Sequence, residues 1–181
     1  IKRASNGRTF TIQLQHPRIA SKHFDLVVPP QHDGLSGVNV VPMLGSPNSV
    51  TPAKLETARA AWSAKFSVLP TPRVSVLIGG ASRSHRFADE DARNLATQLK
   101  SLLAQGVGMM VTTSRRTGAT QTRIIRDALA GTKAYVWNGE GDNPYVGLLA
   151  CADAILVTSE STNMVVEAAA TGKPVYVVDL P

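Results

Sequence analysis

The sequence predicts an α/β protein built on parallel sheets. Two observations carry this. From Arg73 onward, short apolar runs alternate with stretches of helical periodicity. Those runs are apolar on both faces, as strands are when helices cover the sheet on either side. A string of short strand-like segments within residues 1–50 implies an earlier sheet.

In the first part, Phe10–Gln15 alternates and ends at His16-Pro17-Arg18. Phe24–Val28 is compact and apolar and ends at Pro29-Pro30-Gln31-His32-Asp33-Gly34, and Val38–Met43 is a third strand. Pro17 and Pro29 suit strand ends, where no ladder donor is needed. Thr51-Pro52 opens a helix with a hydroxyl cap and a first-turn proline, and Leu55, Ala58, Trp62 and Phe66 form its apolar stripe. Leu69-Pro70-Thr71-Pro72 ends it and reads as a linker, which sets the domains at 1–69 and 70–181. Then come the strand Val74–Ile78, closed by Gly79-Gly80, and the helix Ala88–Gln105, closed by Gly106. Val107–Thr112 is a strand and Thr120–Ala130 a helix, closed by Gly131. Ala134–Trp137 is a strand, Pro144–Ala152 a short helix and Asp153–Val157 a strand. The helix Thr162–Thr171, closed by Gly172, and the strand Val175–Val178 complete the alternation.

The 181 residues are 43% hydrophobic and 18% charged, an ordinary globular balance. The chain opens on Ile1 in the manner of a mid-domain segment, and Pro181 directly follows a strand-like run; further chain is expected at both ends. The formal charge of +6 serves solubility or draws anionic ligands. Aromatic residues are only 5% and do not interleave with the basic ones, so nucleic acid is not the expected partner. The lone Cys151 excludes an internal disulfide and reads as a core thiol. No apolar run reaches the length of a membrane span. A cytoplasmic location is expected, with peripheral membrane contact left open.

In parallel sheets ligands sit beyond the carboxyl ends of the strands. There the sequence places Gly79–Phe87, Thr113–Ala119, Asn138–Asn143 and Thr158–Asn163. Gly79-Gly80 matches neither the dinucleotide fingerprint nor a Walker loop; it is either a turn or a close approach for a ligand. Ser114-Arg115-Arg116-Thr117 is a solvated loop or a phosphate clamp, two guanidiniums among hydroxyls favouring the clamp. Thr158–Asn163 holds more hydroxyls than helix capping needs. Glu167 is a solvated edge residue or an acceptor for a ribose diol. His16, His23, His32 and His85 lack metal-ligand spacing and no nucleophile elbow occurs, so neither a metal nor a catalytic triad is expected.

These residues carry a resemblance. The Ser114–Thr117 loop, the helix start Asn143-Pro144-Tyr145 and the run Asp153–Pro174 resemble the mitochondrial fission Elm-type family. His16-Pro17-Arg18, Phe24–Leu35 and Val76–Gly80 fit the same family, so nearly the whole chain is covered. Glu167–Pro174 is also similar to the donor-sugar domain of GT-B glycosyltransferases and of UDP-N-acetylglucosamine 2-epimerases. The resemblance implies a GT-B-like fold of two Rossmann-like parallel-sheet domains, the N-terminal one incomplete. It implies a nucleotide sugar or nucleoside diphosphate in an interdomain cleft as substrate or ligand, without another cofactor or a metal. Gly79, Gly80, Arg83, Ser114, Arg115, Arg116, Thr117, Ser161, Thr162 and Asn163 are the phosphate-side candidates, and Glu167 is the ribose candidate. His16, Arg18, His32 and Asp33, at the ends of the earlier strands, are the acceptor-side and catalytic candidates. Relatives carry Asp-Ser-Val-Ser-Met where this chain has Glu160–Met164, a change that keeps the helix cap. Glycosyl transfer is the leading expectation; a non-enzymatic adaptor and a nucleotide-sugar epimerase are the alternatives.

Overall fold

The computed structural model describes residues 4–82 and 85–180. By contact it divides into two units, Ile1–Asn48 and Ser49–Pro181.

In the first unit β1 (Ile12–Leu14) and β2 (Leu26–Val28) pair in parallel, Ile12 opposite Leu26. A polar clasp sets this register. The Asp25 carboxylate accepts from both the backbone N–H and the hydroxyl of Thr11, each at 2.8 Å. Phe10, Ile12 and Leu14 accordingly share one face and stay more than half exposed. The expected third strand is present only as isolated parallel bridges, Val27 to Val40 and Pro30 to Met43. The reason is one missing rung. Val41 and Met43 donate to Val27 and Pro29, but Pro29 has no N–H to return. Pro29 thus interrupts a ladder rather than standing beyond its end.

The second unit begins with α1 (Pro52–Phe66), which the division at 69/70 groups with the first part and which by contact belongs here. Thr51 caps it, its hydroxyl accepting from the Lys54 N–H at 3.3 Å, with Pro52 in the first turn. Then follow β3 (Arg73–Ile78), α2 (Asp89–Leu103), β4 (Gly108–Thr113), α3 (Ala119–Leu129) and β5 (Tyr135–Val136). Finally come α4 (Tyr145–Cys151), β6 (Ala154–Thr158), α5 (Thr162–Ala169) and β7 (Val175–Val178). The five strands are all parallel, in the order β5-β4-β3-β6-β7. The order reverses at β3, so the switch point lies between β3 and β6.

Both sheet faces are covered, as near-continuous apolar strands require. On one, Val76, Ile78, Met109 and Val111 meet Leu95 and Leu99 of α2 and Ile125 and Leu129 of α3. On the other, Leu77, Met110, Ile155 and Val157 meet Phe66 of α1 and Leu148 and Leu149 of α4. In α1 only Leu55, Ala58, Trp62 and Phe66 escape full exposure. That stripe fits because Gly147 of α4 leaves room for the indole: a Cβ there would lie 2.4 Å from Trp62 Cγ. Phe66 stacks on Trp62 at 5.6 Å and meets the Tyr135 ring edge-on at 5.1 Å.

Phe66 is fully buried at the end of the helix that begins the unit. Phe66→Ala is expected to cost about 3–5 kcal/mol. A denaturant titration at unchanged slope measures it; a cost below about 1 kcal/mol would mean that α1 does not seal this face.

Candidate functional site

Three loops meet at the carboxyl end of β3. The Gly79 N–H donates to the Thr158 hydroxyl and the Gly80 N–H to Glu160 Oε1, both at 2.8 Å and both buried. These bonds bridge the switch point from β3 to β6. Both glycines are needed for steric reasons. A Cβ on Gly79 would lie 1.4 Å from Glu160 Oε1, and one on Gly80 would lie 2.1 Å from the Arg116 carbonyl oxygen. The Cβ side of each glycine therefore faces this chain's own atoms. Glu160 Oε2 is buried without a hydrogen-bond partner.

The Ser114–Thr117 loop is tied to the same point. Ser114 Oγ donates to the Gly79 carbonyl at 2.9 Å, and the buried Thr117 hydroxyl reaches the Ile78 and Gly79 carbonyls. The Arg116 N–H in turn donates to Ser114 Oγ at 3.1 Å. Ser114 and Thr117 thus act on the loop, spending their hydroxyls on its shape, while Arg115 and Arg116 stay exposed. Among the described residues no carboxylate pairs with either guanidinium.

A cleft of about 410 Å³ opens beyond the ends of β4 and β5. Thr112, Thr113, Ser114 and Arg115 form one side, and Trp137, Asn143, Tyr145 and Met164 the other. Trp137 is held by its backbone N–H to Val111 and by its indole N–H to the Glu140 carbonyl, each at 3.0 Å. Asn143 Oδ1 accepts from the Tyr145 N–H at 3.0 Å and starts α4. Tyr145 donates its phenol to Glu167 Oε2 at 2.6 Å, which joins α4 to α5 at the edge of the cleft. Burial, then the hydrogen bond and the charge of Glu167, push the Tyr145 phenol far above its ordinary value of 10.0. Glu167 is half-buried, and one oxygen remains for another donor.

Ser161 is buried at the start of α5 and makes no side-chain cap bond, while Thr162 and Asn163 are exposed. The first N–H groups of α5 consequently have no cap from the Ser161 side chain. The other loop hydroxyls are already used, Thr158 on Gly79 and Ser159 on Leu180. Among the acceptor-side candidates, His16 Nδ1 accepts from the Arg18 N–H at 2.9 Å, and His32 Nε2 lies 3.7 Å from Asp33 Oδ1. These four residues follow the carboxyl ends of β1 and β2 in the first unit. Arg83 lies outside the described residues. Cys151 is half-buried at the end of α4 and packs against the core formed with Phe66 and Leu148; burial raises its pKa despite the nearby cations Arg59, Lys173 and Arg73. Among the described residues no three His, Cys, Asp or Glu side chains gather as metal ligands, and no helix is long and apolar enough to cross a membrane.

Sequence reasoning passed over Trp137 and Tyr145. Their signals were an aromatic residue one position past a strand's carboxyl end, and another at a helix start following an Asn-Pro pair.

Because its folded pKa is raised, the stability that Tyr145 contributes is full below the unfolded value of 10.0 and is lost as pH climbs above it. Tyr145→Phe is expected to reduce the phenolate absorbance of the denatured chain near pH 10 but not that of the native protein. A drop in both would show Tyr145 ionising normally in the fold.

The comparisons with known proteins agree with this architecture. The profile described as mitochondrial fission ELM1 matches residues 1–181. The chain is 35% identical to the mitochondrial fission protein ELM1 of Arabidopsis thaliana, over 98% of this chain and 47% of that protein. It is 30% identical to uncharacterized protein RP120 of Rickettsia prowazekii (strain Madrid E), over 81% of this chain and 42% of that protein. It thus spans a little under half the length of these relatives. Among solved structures, UDP-GlcNAc 2-epimerase from Neisseria meningitidis, bound to UDP-GlcNAc, superposes with a TM-score of 0.57 at 17% identity, covering 88% of this chain and 46% of that one. The glycosyl transferase family 9 protein from Veillonella parvula DSM 2008 gives 0.54 at 13% identity, covering 97% and 59%. The fold is GT-B-like, and the chain belongs to the mitochondrial fission ELM1 family.

Proposed function

We propose that the second unit binds a ribonucleoside diphosphate, free or as the nucleotide part of a sugar donor. The observation that carries this reading is the composition of the cleft at the ends of β4 and β5. It combines an indole, a guanidinium with no carboxylate partner among the described residues and a tyrosine bound to a carboxylate. The Trp137 ring offers the base a stacking surface. Glu167 keeps one oxygen for a ribose hydroxyl, with Tyr145 holding the other. Arg115 and Arg116 suit the diphosphate, which the start of α5 at Ser161, Thr162 and Asn163 attracts through its N–H groups.

The reading requires no metal, because guanidiniums and a helix start supply the positive field. In a transfer reaction the same groups would stabilise the departing diphosphate. The likeness to the epimerase, which was solved with UDP-GlcNAc, supports a nucleotide-type ligand. The 35% identity to the plant fission protein supports a second reading, an adaptor that keeps the pocket without catalysis.

Calorimetry of the full chain with a panel of ribonucleoside diphosphates, chelator present, tests the proposal. Trp137→Ala is expected to weaken binding by roughly 1–3 kcal/mol, the range for loss of one stacked base. Glu167→Gln is expected to weaken the ribo form while leaving the 2′,3′-dideoxy form unchanged. A panel that gives no binding, or variants that bind like the native chain, would overturn the reading.

A further inference from the structure

A second cavity lies on the other side of Arg115. It has a volume of about 500 Å³ and runs along the first two turns of α3. Its charge comes from three guanidiniums, Arg115 of the loop and Arg123 and Arg126 of the helix. The hydroxyl-bearing residues Ser114, Thr120 and Thr122 line it too, and no carboxylate does. Arg123 and Arg126 lie one helical turn apart, so both reach the same side of α3. The nearest acidic contact of Arg126 is Asp127, whose Oδ1 is 3.9 Å from Nε, at the outer limit of an ion pair. Arg123 has no ion pair among the described residues.

Three like charges around one cavity repel each other unless an anion sits among them. A guanidinium offers paired donors that match phosphate oxygens, and hydroxyls complete the coordination of a multiply charged group. The nucleotide proposed for the neighbouring cleft does not need this space, because its diphosphate has Arg115, Arg116 and the start of α5. We infer that the α3 cavity is a second anion site, one that holds the phosphate or diphosphate group of a molecule other than the nucleotide. The shared chemistry is a phosphate group, carried by a soluble compound or by a lipid headgroup.

The inference stands without the nucleotide reading, and its test keeps the two apart. Inorganic pyrophosphate is titrated into the full chain, alone and in the presence of a saturating ribonucleoside diphosphate, at low ionic strength. Arg123→Gln/Arg126→Gln is the variant, since glutamine keeps helix propensity close to that of arginine and both side chains are exposed. Pyrophosphate is expected to bind in both titrations and to bind at least about tenfold more weakly to the variant, the size of one lost charged hydrogen bond or more. Nucleotide affinity is expected to stay unchanged. Sedimentation with phosphatidylcholine vesicles, with and without phosphatidic acid, identifies the source. Binding to the acidic vesicles that the variant loses assigns a lipid phosphate, and pyrophosphate binding alone assigns a soluble one. Displacement of pyrophosphate by the nucleotide, equal affinity in the variant, or binding to neither probe overturns the second site. A chain that binds pyrophosphate through Arg123 and Arg126 but binds no nucleotide retains this inference and loses the other.

Discussion

The close approach at Gly79-Gly80 is the constraint on which the rest depends. Two residues without side chains let the Glu160 carboxylate and the Arg116–Thr117 backbone reach the end of the central strand. Four hydrogen-bonding groups then use that contact: Thr158 and Glu160 from one side, Ser114 and Thr117 from the other. The bonds of Thr158, Glu160 and Thr117 are buried and that of Ser114 is partly so; away from water a polar bond is stronger and an unmade one costs more. The loops after β3, β4 and β6 are thus fixed relative to one another before any ligand arrives. A binding site built on them starts out preorganised, with Arg115 and Arg116 exposed at its surface.

This knot also changes the meaning of several residues. Ser114, Thr117 and Thr158 have the chemistry of phosphate ligands, yet their hydroxyls are occupied by backbone groups. They act by shaping the loops that carry Arg115 and Arg116. Glu160 is a similar case, with one oxygen satisfied by Gly80 and the other buried without a partner. Its cost falls at the topological switch point, the place where open α/β sheets bind ligands.

Much of the fold was legible in the sequence because its signals are local. The stripe Leu55, Ala58, Trp62 and Phe66 follows helical spacing and is the buried face of α1. Gly106 and Gly172 end helices with positive φ of 88° and 71°, as residues past a helix end often do. The third strand of the first unit was misjudged because a proline acts through a hydrogen bond it fails to return, which requires knowing its partner. The site was legible in its charges and not in its contacts. Arginines at strand ends can be read from spacing, whereas the bond from Tyr145 to Glu167 joins residues 22 apart through tertiary packing. For Trp137 the one signal, a place just past the end of β5, fits a core aromatic as well as a cleft one.

The proposed nucleotide would lie in the cleft beside Arg115 and Trp137. The chain has two tryptophans, Trp62 on the inner face of α1 and Trp137 in the cleft, so their indole N–H resonances act as two internal reporters. A titration of nitrogen-labelled full chain with a ribonucleoside diphosphate follows both at once. The Trp137 indole and the backbone signals of Arg115 and Tyr145 are expected to shift together along one binding curve while the Trp62 indole stays in place. Shifts at Trp62 with none at Trp137 would contradict it.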